Sequence, residues 1–122
     1  MRWGFAFALA KQRENPMNLK IYAVVLQLLS DLRPVLARLQ KCDPDLARQA
    51  RRAGSSMVLN TSEGAYSQGR NKRARYFIAL GSTREVLSCV EIGMALGYLD
   101  AVDAATLDRF QHVLGTLVRL VK

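Results

Sequence analysis

The chain has 122 residues, of which 50% are hydrophobic and 23% are charged, and its formal net charge is +8. A chain of this size folds as one domain with a real core, and its composition excludes an intrinsically disordered protein. No apolar run reaches the roughly 18 residues that a membrane-spanning helix needs, so we expect no membrane partner. The sequence pI of about 10.1 indicates an anionic partner.

Residues 1–16 differ from the rest of the chain, because they contain a short apolar run that includes Trp3. Three interpretations stay open: an unusually short signal peptide, an extension upstream of a natural start at Met17, or an apolar arm that docks on a neighbouring subunit. We therefore divide the chain into an N-terminal extension, residues 1–16, and a domain, residues 17–122.

The first helix is predicted over residues 18–40, where apolar side chains recur every three or four residues. Pro34 falls inside this helix and has no backbone N–H to donate, so we expect a kink near residues 30–33. The first turn follows at residues 41–44, and its Asp43 is a suitable N-cap for the second helix.

The remaining chain predicts three more helices. The second helix ends at a break over residues 64–70, and the third covers residues 71–96 and is stopped by Gly97. Asp100 or Asp103 caps the fourth. Since short turns force consecutive helices to be antiparallel neighbours, the pattern predicts an all-α protein, an antiparallel up-down-up-down four-helix bundle.

Two polar blocks, residues 60–64 and 81–85, do not suit an ordinary bundle core. The simplest account is a buried network that links the second and third helices through glutamate, arginine, asparagine and serine side chains. Gly81 in mid-helix indicates a close helix contact or the approach of a partner. The residues that we assign to this structural network are Asn60, Glu63, Gly64, Gly81, Ser82 and Glu85.

Catalytic and cofactor sites are not indicated. Glu63 and Glu85 are alternatively paired catalytic carboxylates or metal ligands, but a di-metal bundle needs Glu-x-x-His pairs, and the one histidine, His112, lacks that context. No phosphate-binding loop, dinucleotide motif or hydrolase motif is present. Cys42 and Cys89 lack CxxC spacing and are read as the reduced thiols of a cytoplasmic protein. We expect a protein without a cofactor, a metal or an enzymatic activity.

The charge is concentrated in residues 48–75, which hold seven cations and a single acid, Glu63. The cations form two clusters, which we expect at opposite ends of the second helix, roughly 30 Å apart. Phosphate contacts would give salt-sensitive binding without sequence reading. Tyr66 and Tyr76 flank the second cluster and could stack on single-stranded bases, unless Tyr76 belongs to the core. The candidate nucleic-acid-binding residues are Arg48, Arg51, Arg52, Arg70, Lys72, Arg73 and Arg75.

A family resemblance rests on four sequence blocks. They read Q-A-R-R-A-G-S-S at residues 49–56, N-T-S-E-G at residues 60–64, R-Y-F-I-A-L-G-S-T-R-E at residues 75–85 and A-L-G-Y-L at residues 95–99. In these blocks the chain resembles the bacterial four-helix bundle proteins encoded in intervening sequences of large-subunit rRNA. It is similar also to the accessory variability determinant of diversity-generating retroelements.

The resemblance implies a ring-like homopentamer with a basic surface and a non-enzymatic role in binding RNA or DNA. For the retroelement proteins it also implies binding to a reverse transcriptase. We therefore expect a nucleic-acid-binding accessory module, and the alternative is a homo-oligomeric scaffold that docks an acidic protein without nucleic acid. The motif residues that carry over are Arg51, Arg52, Asn60, Glu63, Gly64, Phe77, Gly81, Ser82 and Glu85.

Overall fold

The computed structural model describes residues 16–122, with side chains from Lys20 onward, and it is helical throughout without a strand in this part of the chain. It has five α-helices: α1 (Pro16–Asp31), α2 (Arg33–Cys42), α3 (Pro44–Tyr66), α4 (Gly69–Ala95) and α5 (Ala104–Leu120). The interpretations of residues 1–15 lie outside the described residues. None of the five helices is both long and apolar enough to cross a membrane.

The segment predicted as the first helix forms two helices, α1 and α2, because the helix breaks at Leu32 where a kink was expected. The Leu32 N–H is shared between the carbonyl oxygens of Leu28 and Leu29, at 3.2 Å each. Pro34 occupies the first turn of α2, where its missing N–H leaves no helical hydrogen bond unmade. The prediction of one bent helix over residues 18–40 was therefore wrong in its continuity and right in the position of the disturbance.

Two aspartates cap helices as the sequence predicts. The Leu46 N–H donates to Asp43 Oδ1 at 3.1 Å at the start of α3, and the Thr106 N–H donates to Asp103 Oδ1 at 2.7 Å at the start of α5. This second bond decides between the two predicted caps of the last helix in favour of Asp103. It also lowers the pKa of the Asp103 carboxyl group, because it stabilises the charged form.

Glycine ends α4 as predicted. Gly97 has a φ of +79°, the left-handed region that other residues rarely adopt. The Tyr98 N–H then donates to the Gly93 carbonyl at 2.8 Å, and the Gly97 N–H donates to the Met94 carbonyl at 3.1 Å. This pair of bonds is a Schellman motif, which satisfies carbonyl groups that the helix end would otherwise leave without partners.

The predicted break over residues 64–70 was too long. Helix α3 continues through Gly64 to Tyr66, and α4 begins at Gly69. Gly64 lies inside the helix because its missing side chain makes room for the Tyr76 ring: a Cβ atom at this position would lie 2.7 Å from Tyr76 Cε1. Gly64 thus sets how closely α3 and α4 pack.

The helices pack mainly in sequence order. The longest contact is between α3 and α4, α1 and α2 both pack on α3, and α5 packs on α4 and on α1. The main core lies between these surfaces, and its largest fully buried side chains include Tyr76, Phe110, Leu28, Leu32 and Met57. This arrangement leaves one long side of the α3–α4 pair uncovered by the other described helices.

A polar network ties α1 to α5 at the edge of the core. The Gln27 Nε2 group donates to Asp31 Oδ1 at 2.6 Å, and the Arg109 Nε group donates to Asp31 Oδ2 at 2.7 Å. The Asp31 side chain is only 15% exposed, and that of Arg109 is 33% exposed. Both carboxylate oxygens therefore have partners in a place where water can reach them only in part.

Candidate nucleic-acid interface

An open groove of about 890 Å³ runs along the uncovered side of α3 and α4. We call it the α3–α4 groove. Arg48, Arg51 and Arg52 come from the first half of α3 and line one end of the groove, which places the first predicted basic cluster in one concave surface. Its further lining residues are Gln49, Ala53, Ser55, Ser56, Leu59, Asn60, Ser82 and Glu85.

Hydrogen bonds within α3 and between α3 and α4 form the floor of the groove. The Ser56 and Ser82 hydroxyl oxygens are 2.7 Å apart, and Asn60 Nδ2 donates to the Ser56 carbonyl at 3.0 Å and to Ser56 Oγ at 3.1 Å. Arg75 Nη1 donates to Asn60 Oδ1 at 3.4 Å. The asparagine and serine part of the predicted network is therefore present but only partly buried, and the arginine that joins it is Arg75, at an exposed contact.

The two glutamates do not belong to a buried network, so that part of the prediction was wrong. Both Glu63 and Glu85 are exposed. Glu85 lines the α3–α4 groove beside the arginines, whereas Glu63 is not among the groove residues. Water solvates an exposed carboxylate without the desolvation cost that would demand a buried partner. Among residues 16–122 no group of three or more His, Cys, Asp or Glu side chains is placed to hold a metal ion.

Four of the seven predicted cations have partners within the chain. Arg48 pairs with Asp45 at 3.2 Å and Arg51 Nη2 donates to Gln40 Oε1 at 2.8 Å, while the Lys72 Nζ atom lies 5.6 Å from the centroid of the Tyr76 ring. Arg75, as described, contacts Asn60. The Arg48 pair is on the surface, where such contacts contribute little and exchange readily for an anion. No hydrogen bond or ion pair within the described part of the chain engages Arg52, Arg70 or Arg73.

The two basic clusters lie toward opposite ends of α3, as predicted. The first cluster is in the first half of α3, and the second is at the start of α4, just after the turn that follows Tyr66. They are not isolated from each other, because Arg75 of the second cluster reaches Asn60, which lines the groove of the first. Polar and cationic groups thus continue from one cluster to the other.

The sequence left open whether Tyr76, near the second basic cluster, stacks on bases or belongs to the core. Tyr76 is fully buried and belongs to the core, and burial raises the pKa of its phenol group. It therefore cannot stack on a base. Tyr66 is 62% exposed, and the neighbouring Phe77 is 64% exposed. The sequence pattern did not single out Phe77 as a surface aromatic, although it stands among arginines.

Gly81 has open space beside it in the described part of the chain. A Cβ atom built there has no neighbour within 4 Å, so no close contact with another described helix requires this glycine. Of the two predicted roles, a close contact with another described helix is wrong, and the approach of a partner stays a prediction. By contrast, the surrounding residues Ser82 and Thr83 are buried.

The other candidate groups are structural or exposed. His112 is exposed, and Cys42 and Cys89 are both free thiols. Burial, and to a lesser extent the negative charge of Glu85, raise the pKa of the Cys89 thiol, which makes it a poor nucleophile.

Comparison with known proteins gives a family match. The family model described as 23S rRNA-intervening sequence protein matches residues 17–118, which is most of the chain. No curated protein and no solved structure matches the chain. The family match agrees with the resemblance that the four sequence blocks indicated; the similarity to the retroelement determinant has no such support.

Proposed function

The chain belongs to the 23S rRNA-intervening sequence protein family, and on this premise we propose that it is a non-enzymatic accessory module that binds nucleic acid. The observation that carries the proposal is the α3–α4 groove, where three arginines converge on a polar floor. A phosphate backbone has the charge and the acceptor oxygens that such guanidinium groups bind. The ligand is RNA or DNA, which the protein binds in the cytoplasm mainly through phosphate contacts.

The second cluster extends this site. Arg70 and Arg73 are exposed and have no partner among residues 16–122, so no internal contact must break before they bind an anion. Cations at the start of a helix oppose the helix dipole by about 0.3–1 kcal/mol each. A bound phosphate relieves that repulsion, which would explain why cations occupy the start of this helix.

We further propose that the five helices form an up-down-up-down four-helix bundle, in which α1 and α2 together make the first rod, and that the protein assembles as a ring-like homopentamer. The helix pairs that pack support the bundle, because each rod contacts the next in the chain and α5 returns to α1. The pentamer rests on family membership alone. Repetition in a ring would multiply the phosphate contacts and hence the avidity.

One observation favours the alternative function, a scaffold for an acidic protein such as a reverse transcriptase. Leu59, which lines the groove, is 63% exposed. Apolar side chains beside arginines suit a protein partner as well as a nucleic acid. The two functions differ in their salt dependence, because release of condensed counterions is specific to nucleic acid.

Fluorescence anisotropy with labelled RNA, single-stranded DNA and duplex DNA tests the proposal. The test variant changes Arg48, Arg51 and Arg52 to Gln. The control variant changes Lys20, Arg33 and Lys122 to Gln, which removes the same charge from exposed positions outside α3 and α4.

We expect the groove variant to bind at least tenfold more weakly than the control, because directed phosphate contacts are lost in addition to net charge. Equal weakening in both variants would mean that net charge alone attracts nucleic acid and that the groove is not the site. Absence of binding at low salt to all three probes would refute the function and favour the scaffold.

A further inference from the structure

The outward side of α4 carries an exposed phenylalanine among arginines. By the helical period, Arg70 and Arg73 precede Phe77 on the same side of the helix, and Arg84 follows two turns later. All four residues are exposed, and Phe77 is the most exposed large hydrophobic residue among those described, at 64%. No acid occurs between residues 70 and 84. We call this surface, Arg70, Arg73, Phe77, Gly81 and Arg84, the α4 outer face.

Gly81 lies one turn after Phe77 and leaves open space there. Nothing within the described chain lies within 4 Å of where its Cβ atom would be. Glycine in mid-helix is less stable than alanine by up to about 1 kcal/mol, and neither packing nor an unusual φ angle within the chain requires it. The glycine does lower the helix surface beside the Phe77 ring, so that a flat group on the ring can approach the backbone.

We propose that the α4 outer face binds a single strand of nucleic acid, with one base stacked on the Phe77 ring and with phosphates on the flanking arginines. This inference rests on the proposed function and adds to it the strandedness of the ligand and a stacking residue. Stacking on an aromatic side chain needs a base whose face is free, and in a duplex both faces are covered by neighbouring bases. In the proposed function, the α3–α4 groove binds the phosphates of single strands and of duplexes alike.

Charge argues against pairing of this face with the same face of a second copy, whereas its contact with a different face of a neighbour, as in the proposed ring, is tested by the molar mass below. A two-fold contact would bring the arginines of one copy against those of the other around Phe77, since the same patch serves both subunits. Like charges brought together in this way repel, and no acid of the α4 outer face offsets them. A polyanion with exposed π-faces complements both features of the surface.

Binding of a 15-nucleotide single-stranded RNA and of the matching duplex to Phe77→Ala, Phe77→Trp and Ile78→Ala tests the proposal. Ile78 is the matched control, because it is exposed and apolar but lies about 100° around the helix. We expect Phe77→Ala to bind the single strand about 5- to 150-fold more weakly, to leave duplex binding unchanged, and to be rescued by Phe77→Trp. We expect Ile78→Ala to leave both affinities unchanged.

Three results would overturn the proposal. Phe77→Ala could leave single-strand affinity unchanged, it could weaken single strand and duplex equally, or it could alter the molar mass measured by light scattering, which would make the face a subunit interface. In each of these cases the proposed function would still stand if the wild type binds nucleic acid and the double variant Arg70→Gln, Arg73→Gln does not. If the wild type binds neither probe, the proposed function fails together with this inference.

Discussion

Two glycines in the same helical hairpin should respond oppositely to alanine. In Gly64→Ala, the new methyl group would lie 2.7, 2.8 and 3.0 Å from the Tyr76 atoms Cε1, Cδ1 and Cζ. The Tyr76 ring is fully buried and cannot move aside without disturbing the core. In Gly81→Ala, nothing in the described chain beyond the backbone of α4 itself lies within 4 Å of the methyl group.

The magnitudes follow from these distances. Overpacking a core costs about 1–3 kcal/mol, and alanine regains up to about 1 kcal/mol of helix propensity over glycine. We expect Gly64→Ala to lower the free energy of unfolding by up to about 2 kcal/mol and Gly81→Ala to raise it by about 0.5–1 kcal/mol. The two variants thus have opposite signs, although the substitution is the same.

Urea denaturation followed by far-UV circular dichroism, at two protein concentrations, measures both changes. The two concentrations separate folding from association, since the stability of an oligomer depends on protein concentration. Stabilisation by both variants would show that the Tyr76 ring does not constrain α3. Destabilisation by Gly81→Ala would show that a second copy packs on that glycine.

Three further predictions concern other parts of the molecule. Asp31→Ala should lower the free energy of unfolding by about 2–3 kcal/mol in urea, because it leaves the partly buried Arg109 without its carboxylate. Because the pKa of Asp103 is lowered in the folded state, its carboxylate adds stability that is fully present above the ordinary pKa of about 3.9 and is lost as the pH falls through the lowered value. Asp103→Asn should therefore make the free energy of unfolding depend less on pH in this acidic range. In the native protein, iodoacetamide should modify Cys42 before Cys89, as mass spectrometry would show, because Cys89 is buried with a raised pKa.

Local signals in the sequence predicted the helix ends well. Asp43 and Gly97 act within a few residues of their own positions, so their effect on the helix ends can be predicted from the local sequence alone. Pro34 likewise marks the disturbance between α1 and α2. Whether that disturbance is a bend or a break depends on how the flanking segments pack, and the local sequence does not contain that information.

The orientation of α4 could not be predicted in the same way. Its residues 76–80 are all apolar, so the helical period fits several faces equally well. Tyr76 turns inward because Gly64 of α3 leaves room for its ring, and Phe77, about 100° away, then points outward. A contact between two helices decides this. The same limit applies to Glu63 and Glu85, whose exposure depends on which neighbours cover them.

The salt dependence of RNA binding tests the central claim, that the cations of residues 48–75 bind phosphates, most directly. Affinity would be measured between about 50 and 200 mM salt for the wild type and for a variant with Arg70, Lys72, Arg73 and Arg75 changed to Gln. We predict a loss of about 10³-fold or more over this range for the wild type and a clearly shallower slope for the variant. Equal slopes, or wild-type binding that does not change with salt, would contradict the claim.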